Sequence, residues 1–281
     1  MKKNEELKSY WSMTEGVFNC LIDKERSVAF QKAINNTIKK NDIVVDMGTG
    51  SGVLAMFAAK AGAKKVYAVE FDKNNISNLE SIFKKNKLDK IIQIIEGDAR
   101  SVKLPEKVTC IIGEMIATGL IEEQQIQANN NMLANAVTNP KVLLKKYDIF
   151  IDLVDSPNRY YDLIFPILRY EYPDLKFLKS KSLTEKMKYK EVDFTKKIDD
   201  ATVSLDCVLK IKKKGLLNGI KISGETLFSD NSKLGATFAY NYPVILPINE
   251  VLVESGDEFN VKLSYNLCGG FDKLKYSICK I

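Results

Sequence analysis

The sequence predicts an α/β half built on a parallel sheet, followed by an all-β half of sandwich or barrel form. Two observations of period and one of punctuation carry this. Between residues 43 and 112 short apolar runs alternate with helical spacings. From Pro140 the apolar period falls to two: Val203, Leu205, Cys207, Leu209 and Ile211 alternate strictly, as do Phe259, Val261, Leu263, Tyr265 and Leu267. Turns of Gly, Pro, Asn and Asp separate these later segments. With 281 residues, two packed units are the natural expectation. We divide the chain into a helical segment over 1–40, an α/β unit over 41–140 and a barrel-like unit over 141–281.

In chain order, residues 1–40 read as amphipathic helix, with Val28, Phe30, Ala33, Ile34 and Ile38 as its apolar positions. Ile43, Val44 and Val45 form a short run suited to a strand buried on both faces. The chain then turns through Asp46-Met47-Gly48-Thr49-Gly50-Ser51-Gly52. A helix follows with Leu54, Phe57, Ala58 and Ala61 on one face and Gly62 at its C-terminal cap. The next strand, Lys65 to Val69, ends on Glu70. A helix is expected over 73–86, carrying Ile76, Leu79, Ile82 and Phe83 inward. Strands follow at Ile91 to Ile95, before Glu96-Gly97-Asp98-Ala99, and at Val108 to Ile112, before Gly113-Glu114-Met115. Beyond 140, strand-like segments fall at 142–154, 216–228, 244–253 and 274–281.

The unit from Ile43 to Glu70 has a specific physical meaning. Glycines allow positive φ and let a ligand approach the backbone, and the helix behind them offers unpaired N–H groups. An acid at the end of the second strand is placed to accept hydrogen bonds from two ribose hydroxyls. No Lys-Ser/Thr follows the loop, so it is not a triphosphate-binding loop. The tight D-x-G-x-G-x-G spacing also differs from the dinucleotide G-x-G-x-x-G.

This stretch resembles motif I and the following acidic motif of the class I S-adenosylmethionine (SAM) methyltransferases. MFAAKAGAKKVYAVE is closely similar to the protein arginine methyltransferases. The resemblance implies a Rossmann-like SAM-binding domain followed by a β-barrel, with SAM held by Asp46, Gly48, Gly50, Gly52 and Glu70. Asp23-Lys24-Glu25-Arg26 resembles the family's D-x-x-R, in which the arginine grips the cofactor carboxylate. Ser9-Tyr10-Trp11 stands where the family carries an aromatic lid. Asp98 is carried over from the wider class as the acceptor for the adenine amino group. Glu114 and Glu123, nine positions apart, match the two glutamates that clamp a substrate guanidinium, with Glu122 the adjacent alternative. The physical reason is that paired carboxylates orient a planar cation and localise its charge. Three features depart from the family. Met115-Ile116-Ala117 replaces its Trp-Met-Gly, and Leu234-Gly235-Ala236-Thr237-Phe238-Ala239 stands where it has Thr-His-Trp. A helical dimerisation arm has no clear counterpart, 157–190 being the place for a divergent one; the expected state is a monomer or a dimer unlike the family's.

Composition limits the rivals. The chain contains no histidine, which removes imidazole from every proton-transfer scheme. Five scattered cysteines without C-x-x-C spacing read as reduced thiols, which suits a cytoplasmic location and gives no zinc site. MKKNEELKSYW lacks the apolar run of a signal peptide, and no stretch has the roughly 18 apolar residues of a membrane span. The net charge of +6 comes from dispersed lysines, without the interleaved aromatics that would support a nucleic-acid partner. The expected function is N-methylation of an arginine-like side chain in a protein or peptide. Rival acceptors are another amine, hydroxyl or carboxylate, or a nucleic acid, although the Asn/Asp-Pro-Pro-aromatic signature is absent. A SAM-binding scaffold without turnover is the non-enzymatic alternative.

Overall fold

A computed structural model describes residues 15–281. The aromatic-lid expectation at Ser9-Tyr10-Trp11 lies outside the described residues. Two helices, α1 (Glu15–Ile22) and α2 (Lys24–Thr37), precede the first sheet, broken at Asp23, whose carboxylate accepts the Arg26 N–H and caps α2. Phe30, Ala33, Ile34 and Ile38 are buried as expected; Val28 is exposed because it lies on the opposite face of the helix from Phe30.

The first sheet contains β1 (Ile43–Met47), β2 (Lys65–Glu70), β3 (Ile92–Glu96), β4 (Val108–Ile112) and β5 (Ala136–Val142), in the order β3-β2-β1-β4-β5 and parallel throughout. Helices α3 (Val53–Lys60), α4 (Lys73–Lys85) and α5 (Gln125–Ala134) connect them. Val44 and Val45 are fully buried, as a strand covered on both faces requires. The chain runs outward from β1 to β3 and returns to β4 on the other side of β1. That reversal opens a crevice beyond the C-terminal ends of β1 and β4, where open α/β sheets bind ligands.

The second half is antiparallel. Its larger sheet has the order β10-β6-β13-β15-β9, built from β6 (Leu144–Asp155), β9 (Arg169–Tyr170), β10 (Lys181–Ser182), β13 (Gly215–Phe228) and β15 (Val244–Val253). The strands β11 (Met187–Asp193) and β14 (Lys233–Leu234) pair off that path with β6 and β13. A three-stranded sheet of β12 (Thr202–Lys210), β16 (Glu258–Asn266) and β17 (Lys275–Lys280) faces it, joined by Tyr189–Tyr265 and Tyr276–Pro247 hydrogen bonds. The alternating residues Val203, Leu209, Phe259, Val261 and Leu263 point into the core, which gives this half its barrel-like form.

The segment expected to hold any divergent helical arm contains no α-helix. Residues 157–178 form a small hairpin, β7 (Arg159–Tyr160) with β8 (Leu163–Ile164), then β9 and one 3-10 turn. Pro157, Pro166 and Pro173 interrupt any helix, and Tyr161 and Asp162 take positive φ to close the hairpin. Its apolar side chains face outward, with Tyr161 92% and Phe177 71% exposed.

The halves meet on α2. Phe30 packs edge-on against Phe228 at 5.0 Å and Tyr240 at 6.1 Å between ring centroids. Thr37 bonds to Ser229 and Asn36 to Asp230, which ties the end of the helix to the tip of β13.

Candidate functional site

The glycine loop between β1 and α3 has the geometry its spacing predicts. Gly48, Gly50 and Gly52 take φ of +66°, +54° and +78°, conformations strained for any side chain. Asp46 is fully buried; one carboxylate oxygen accepts from Thr49 Oγ1 (2.6 Å) and the Ala55 N–H (3.1 Å). Its other oxygen, Oδ1, has no partner among the described residues. Burial pushes Asp46 up to about 6. Glu70 closes the far side: Oε2 accepts from the Gly50 N–H (3.1 Å), and Oε1 from the N–H groups of Phe71 and Asp72. Asn75 bonds to the Gly50 carbonyl at 2.6 Å and to Glu70 at 3.3 Å, a tie that nothing in the sequence motif signals. Asp98, expected at the adenine end, leaves β3 paired with the Arg100 guanidinium at the surface. An orphaned buried carboxylate oxygen and a bare glycine backbone in the crevice fit SAM.

Arg26 lies between this crevice and the loop that follows β4. Its Nη2 and Nε reach Glu114 Oε2 at 2.6 and 3.2 Å, and both side chains are almost completely buried. The ring of Phe30 lies 4.9 Å under the guanidinium. Although burial opposes the charge, the Glu114 carboxylate holds the guanidinium above its ordinary pKa. Glu114 Oε1 also accepts the Ile116 N–H at 2.6 Å, so the carboxylate is fixed at both oxygens.

Glu122 and Glu123 lie just before Gln124, the N-cap of α5, and outside the helix itself. Glu122 accepts a hydrogen bond from the Tyr170 phenol at 2.6 Å. Glu123, half-buried, is pushed up to about 8, first because burial disfavours its charged form, then by the charges of Glu114 and Glu122. Tyr170 belongs to a cluster of rings, 6.0 Å from Tyr242 and 6.2 Å from Phe271, with Tyr172 against Tyr242 at 4.8 Å.

The region that replaces Thr-His-Trp contacts α2. Thr237 Oγ1 and the Ala239 N–H both donate to Asp23 Oδ2, the latter at 2.7 Å, while Asp23 Oδ1 caps the helix carrying Arg26. Asp23→Ala is expected to lower unfolding free energy by about 2 kcal/mol, from a lost cap and unpaired buried donors. Urea unfolding measures it; an unchanged midpoint would remove Asp23 as the tie between α2 and the second half.

The crevice, the parallel sheet and the strand-rich second half define a class I SAM-dependent methyltransferase with the architecture of the arginine methyltransferases. The family model for ribosomal protein L11 methyltransferase (PrmA) matches residues 29–138. The uncharacterized protein MJ1452 of Methanocaldococcus jannaschii is 33% identical over 265 residues, covering 93% of this chain and 95% of that protein. The chain belongs to the same family as MJ1452. Protein arginine N-methyltransferase PRMT10 of Arabidopsis thaliana is 40% identical over 110 residues, 38% of this chain and 28% of that protein, so the chain spans little more than a quarter of that relative. The Trypanosoma brucei PRMT1 enzyme-prozyme heterotetrameric complex with AdoHcy superposes with a TM-score of 0.75 at 17% identity, over 94% of this chain and 96% of that one. Arabidopsis PRMT10 in a uniquely open conformation gives 0.73 at 19%, over 93% and 95%. At such identities the structural likeness is one of fold. No helix among the described residues is long and apolar enough to cross a membrane.

Proposed function

We propose that this methyltransferase acts on a guanidinium nitrogen of an arginine side chain in a protein or peptide. The observation that carries the reading is the loop from Gly113 to Gln124, on which Glu123 feels the charges of both Glu114 and Glu122, and Glu122 is bonded to Tyr170 of the ring cluster. Three carboxylates in one cleft repel one another, and a planar cation relieves that repulsion. Guanidinium groups also stack on aromatic faces, so the rings suit this acceptor as well as the acids do. The names of the PRMT10 and PRMT1 relatives support the same class.

In this reading SAM, when bound, supplies a methyl group on a positively charged sulfur. Asp46, the three glycines and Glu70 hold its adenosine portion, with Asp98 at the adenine amino group. Arg26 holds its carboxylate by the bidentate fork a guanidinium offers. Glu114 and Glu123 bracket the acceptor and localise its charge on the nitrogens they bind. The remaining nitrogen keeps its lone pair aligned for in-line attack. That nitrogen must lose a proton. With no imidazole in the chain, a carboxylate oxygen of Glu123 takes it, since its affinity for protons is already raised. Reduced cysteines suit a cytoplasmic setting for this chemistry.

The pH dependence follows. Protonated Glu123 carries no charge and cannot pair with the acceptor, so kcat/KM should rise with pH through an ionisation near 8. Glu123→Gln should flatten that limb and lower turnover throughout. A flat profile in the unaltered enzyme between about pH 6 and pH 10 would contradict the role of Glu123. The function itself is tested with labelled SAM and a synthetic Gly-Arg-Gly-rich peptide, the product being hydrolysed and identified by mass spectrometry. Methylarginine supports the reading, and label appearing only in nuclease-sensitive or small-molecule products from a cell extract refutes it.

A further inference from the structure

The turn of the loop carrying Glu114 and Glu123 is held chiefly from outside. At its apex Gly119 has φ +69° and Leu120 φ +51°. Both backbone groups of Gly119 are taken by buried tyrosines of the second half: its N–H donates to Tyr147 Oη (3.2 Å) and its carbonyl accepts from Tyr265 Oη (2.9 Å). Tyr147 in turn donates to Asn241 Oδ1 at 2.5 Å, and Tyr265 bonds to Tyr189 at 3.0 Å. The Thr118 hydroxyl lies against Asn241 Oδ1 (3.1 Å) and the Tyr242 carbonyl. Next along the loop, the Leu120 and Ile121 carbonyls accept from the N–H groups of Cys268 (2.6 Å) and Gly270 (2.8 Å). Space for the Tyr147 hydroxyl comes from Gly224, where an added Cβ would stand 1.8 Å from Tyr147 Oη. Two phenols, each held by a second partner, bond the two successive peptide groups that meet at Gly119, which does more than fill a core. They fix where Gly119 lies.

We propose that Tyr147 and Tyr265 are positioning residues for methyl transfer, setting through Gly119 the placement of Glu114 and Glu123 on either side of the acceptor. The proposal rests on the acceptor role given to those two glutamates. Through this peptide the second half controls the carboxylates of the first without placing a tyrosine in the reaction centre. Tyr147 is the fourth residue of β6 and Tyr265 the last but one of β16, long strands whose registers are fixed along most of their length. The anchor is therefore rigid, and misplacement of a reacting group by about 1 Å costs on the order of 100-fold in rate.

The test uses the full chain with Tyr147→Phe and Tyr265→Phe, which remove only the hydroxyls. With the Gly-Arg-Gly-rich peptide, each variant should lose about 10-fold in kcat with KM changed less than about twofold. Binding of S-adenosylhomocysteine should be unchanged. In a Glu123→Gln background the same substitutions should cost no more than about twofold, since they act through a glutamate already disabled. Unchanged kcat in both variants, or an equal loss with and without Glu123, would overturn the proposal. If Tyr147→Phe does not fold, Tyr265→Phe carries the test alone. If the unaltered protein methylates no arginine peptide, the arginine reading fails. The positioning role is then decided by carbon-13 NMR titration of the glutamate carboxylates: a displaced Glu123 midpoint in the variants supports it, and an unmoved one overturns it.

Discussion

Glu114→Gln should destabilise the cofactor-free protein by about 3 kcal/mol, because it leaves the Arg26 guanidinium buried without a counter-charge. For a chain of this size that is a fall in Tm of about 6–12 °C. The cofactor should then rescue the variant more strongly than it stabilises the unaltered protein. On the proposed binding of the SAM carboxylate by Arg26, that carboxylate shares a guanidinium that Glu114 already holds by two hydrogen bonds in the unaltered protein. In the variant the guanidinium keeps its bond to the Cys20 carbonyl but has lost its bonded carboxylate, and the incoming carboxylate supplies the missing charge. Stabilisation by a ligand grows with its affinity for the folded state, so the rise in Tm with saturating SAM should be larger in Glu114→Gln. Turnover should fall by at least about 100-fold, since the proposed role of the lost carboxylate is to orient the acceptor. Scanning calorimetry with and without SAM, together with a methyl-transfer assay, checks both parts. An equal or smaller rise in the variant would show that Arg26 and the cofactor do not meet.

The second large effect is structural. Gly113→Ala should lower stability by more than about 4 kcal/mol, enough to reduce the yield of folded protein sharply. Gly113 has φ +115°, and a Cβ there would lie 2.5 Å from the Met47 carbonyl oxygen and 2.7 Å from its nitrogen. Both contacts are with the backbone of β1, which no rotamer change relieves. The neighbouring strands would have to part at the crevice. Gly62→Ala is the control: φ there is +100°, yet an added Cβ meets nothing within 4 Å, so only conformational strain of about 1 kcal/mol is expected. Comparable losses in the two variants would mean that the close approach of Gly113 to Met47 has no energetic weight.

The parts of the molecule legible in the sequence are those whose causes are local. Three glycines on alternate positions demand left-handed backbone, and apolar runs at Ile43 and Val108 specify buried strands, so the crevice follows from neighbouring residues. The strict alternation in β12 and β16 reads out the second half in the same way. The missed elements depend on distant partners. Tyr265 acts on Gly119 from 146 positions away and Asn241 on Thr118 from 123, and no periodicity encodes such a meeting. Asn75 looks like an ordinary polar residue of α4 until the fold sets it against Gly50. The segment 157–178 was readable in part: three prolines in it argue against a helix, although a resemblance to helical relatives points the other way.

Because the acceptor loop is anchored by Tyr147, Asn241, Tyr265, Cys268 and Gly270, the two substrates are provided for at different moments of synthesis. The ribosome delivers the whole parallel sheet, its glycine loop and Tyr147 while Asn241, Tyr265, Cys268 and Gly270 are still unmade. At about 5–20 residues per second, many seconds separate the crevice from its anchored loop. During that interval the nascent chain owns a cofactor cleft without a fixed place for an acceptor. On the proposed positioning role, methyl transfer then waits for Tyr265, Cys268 and Gly270 to emerge.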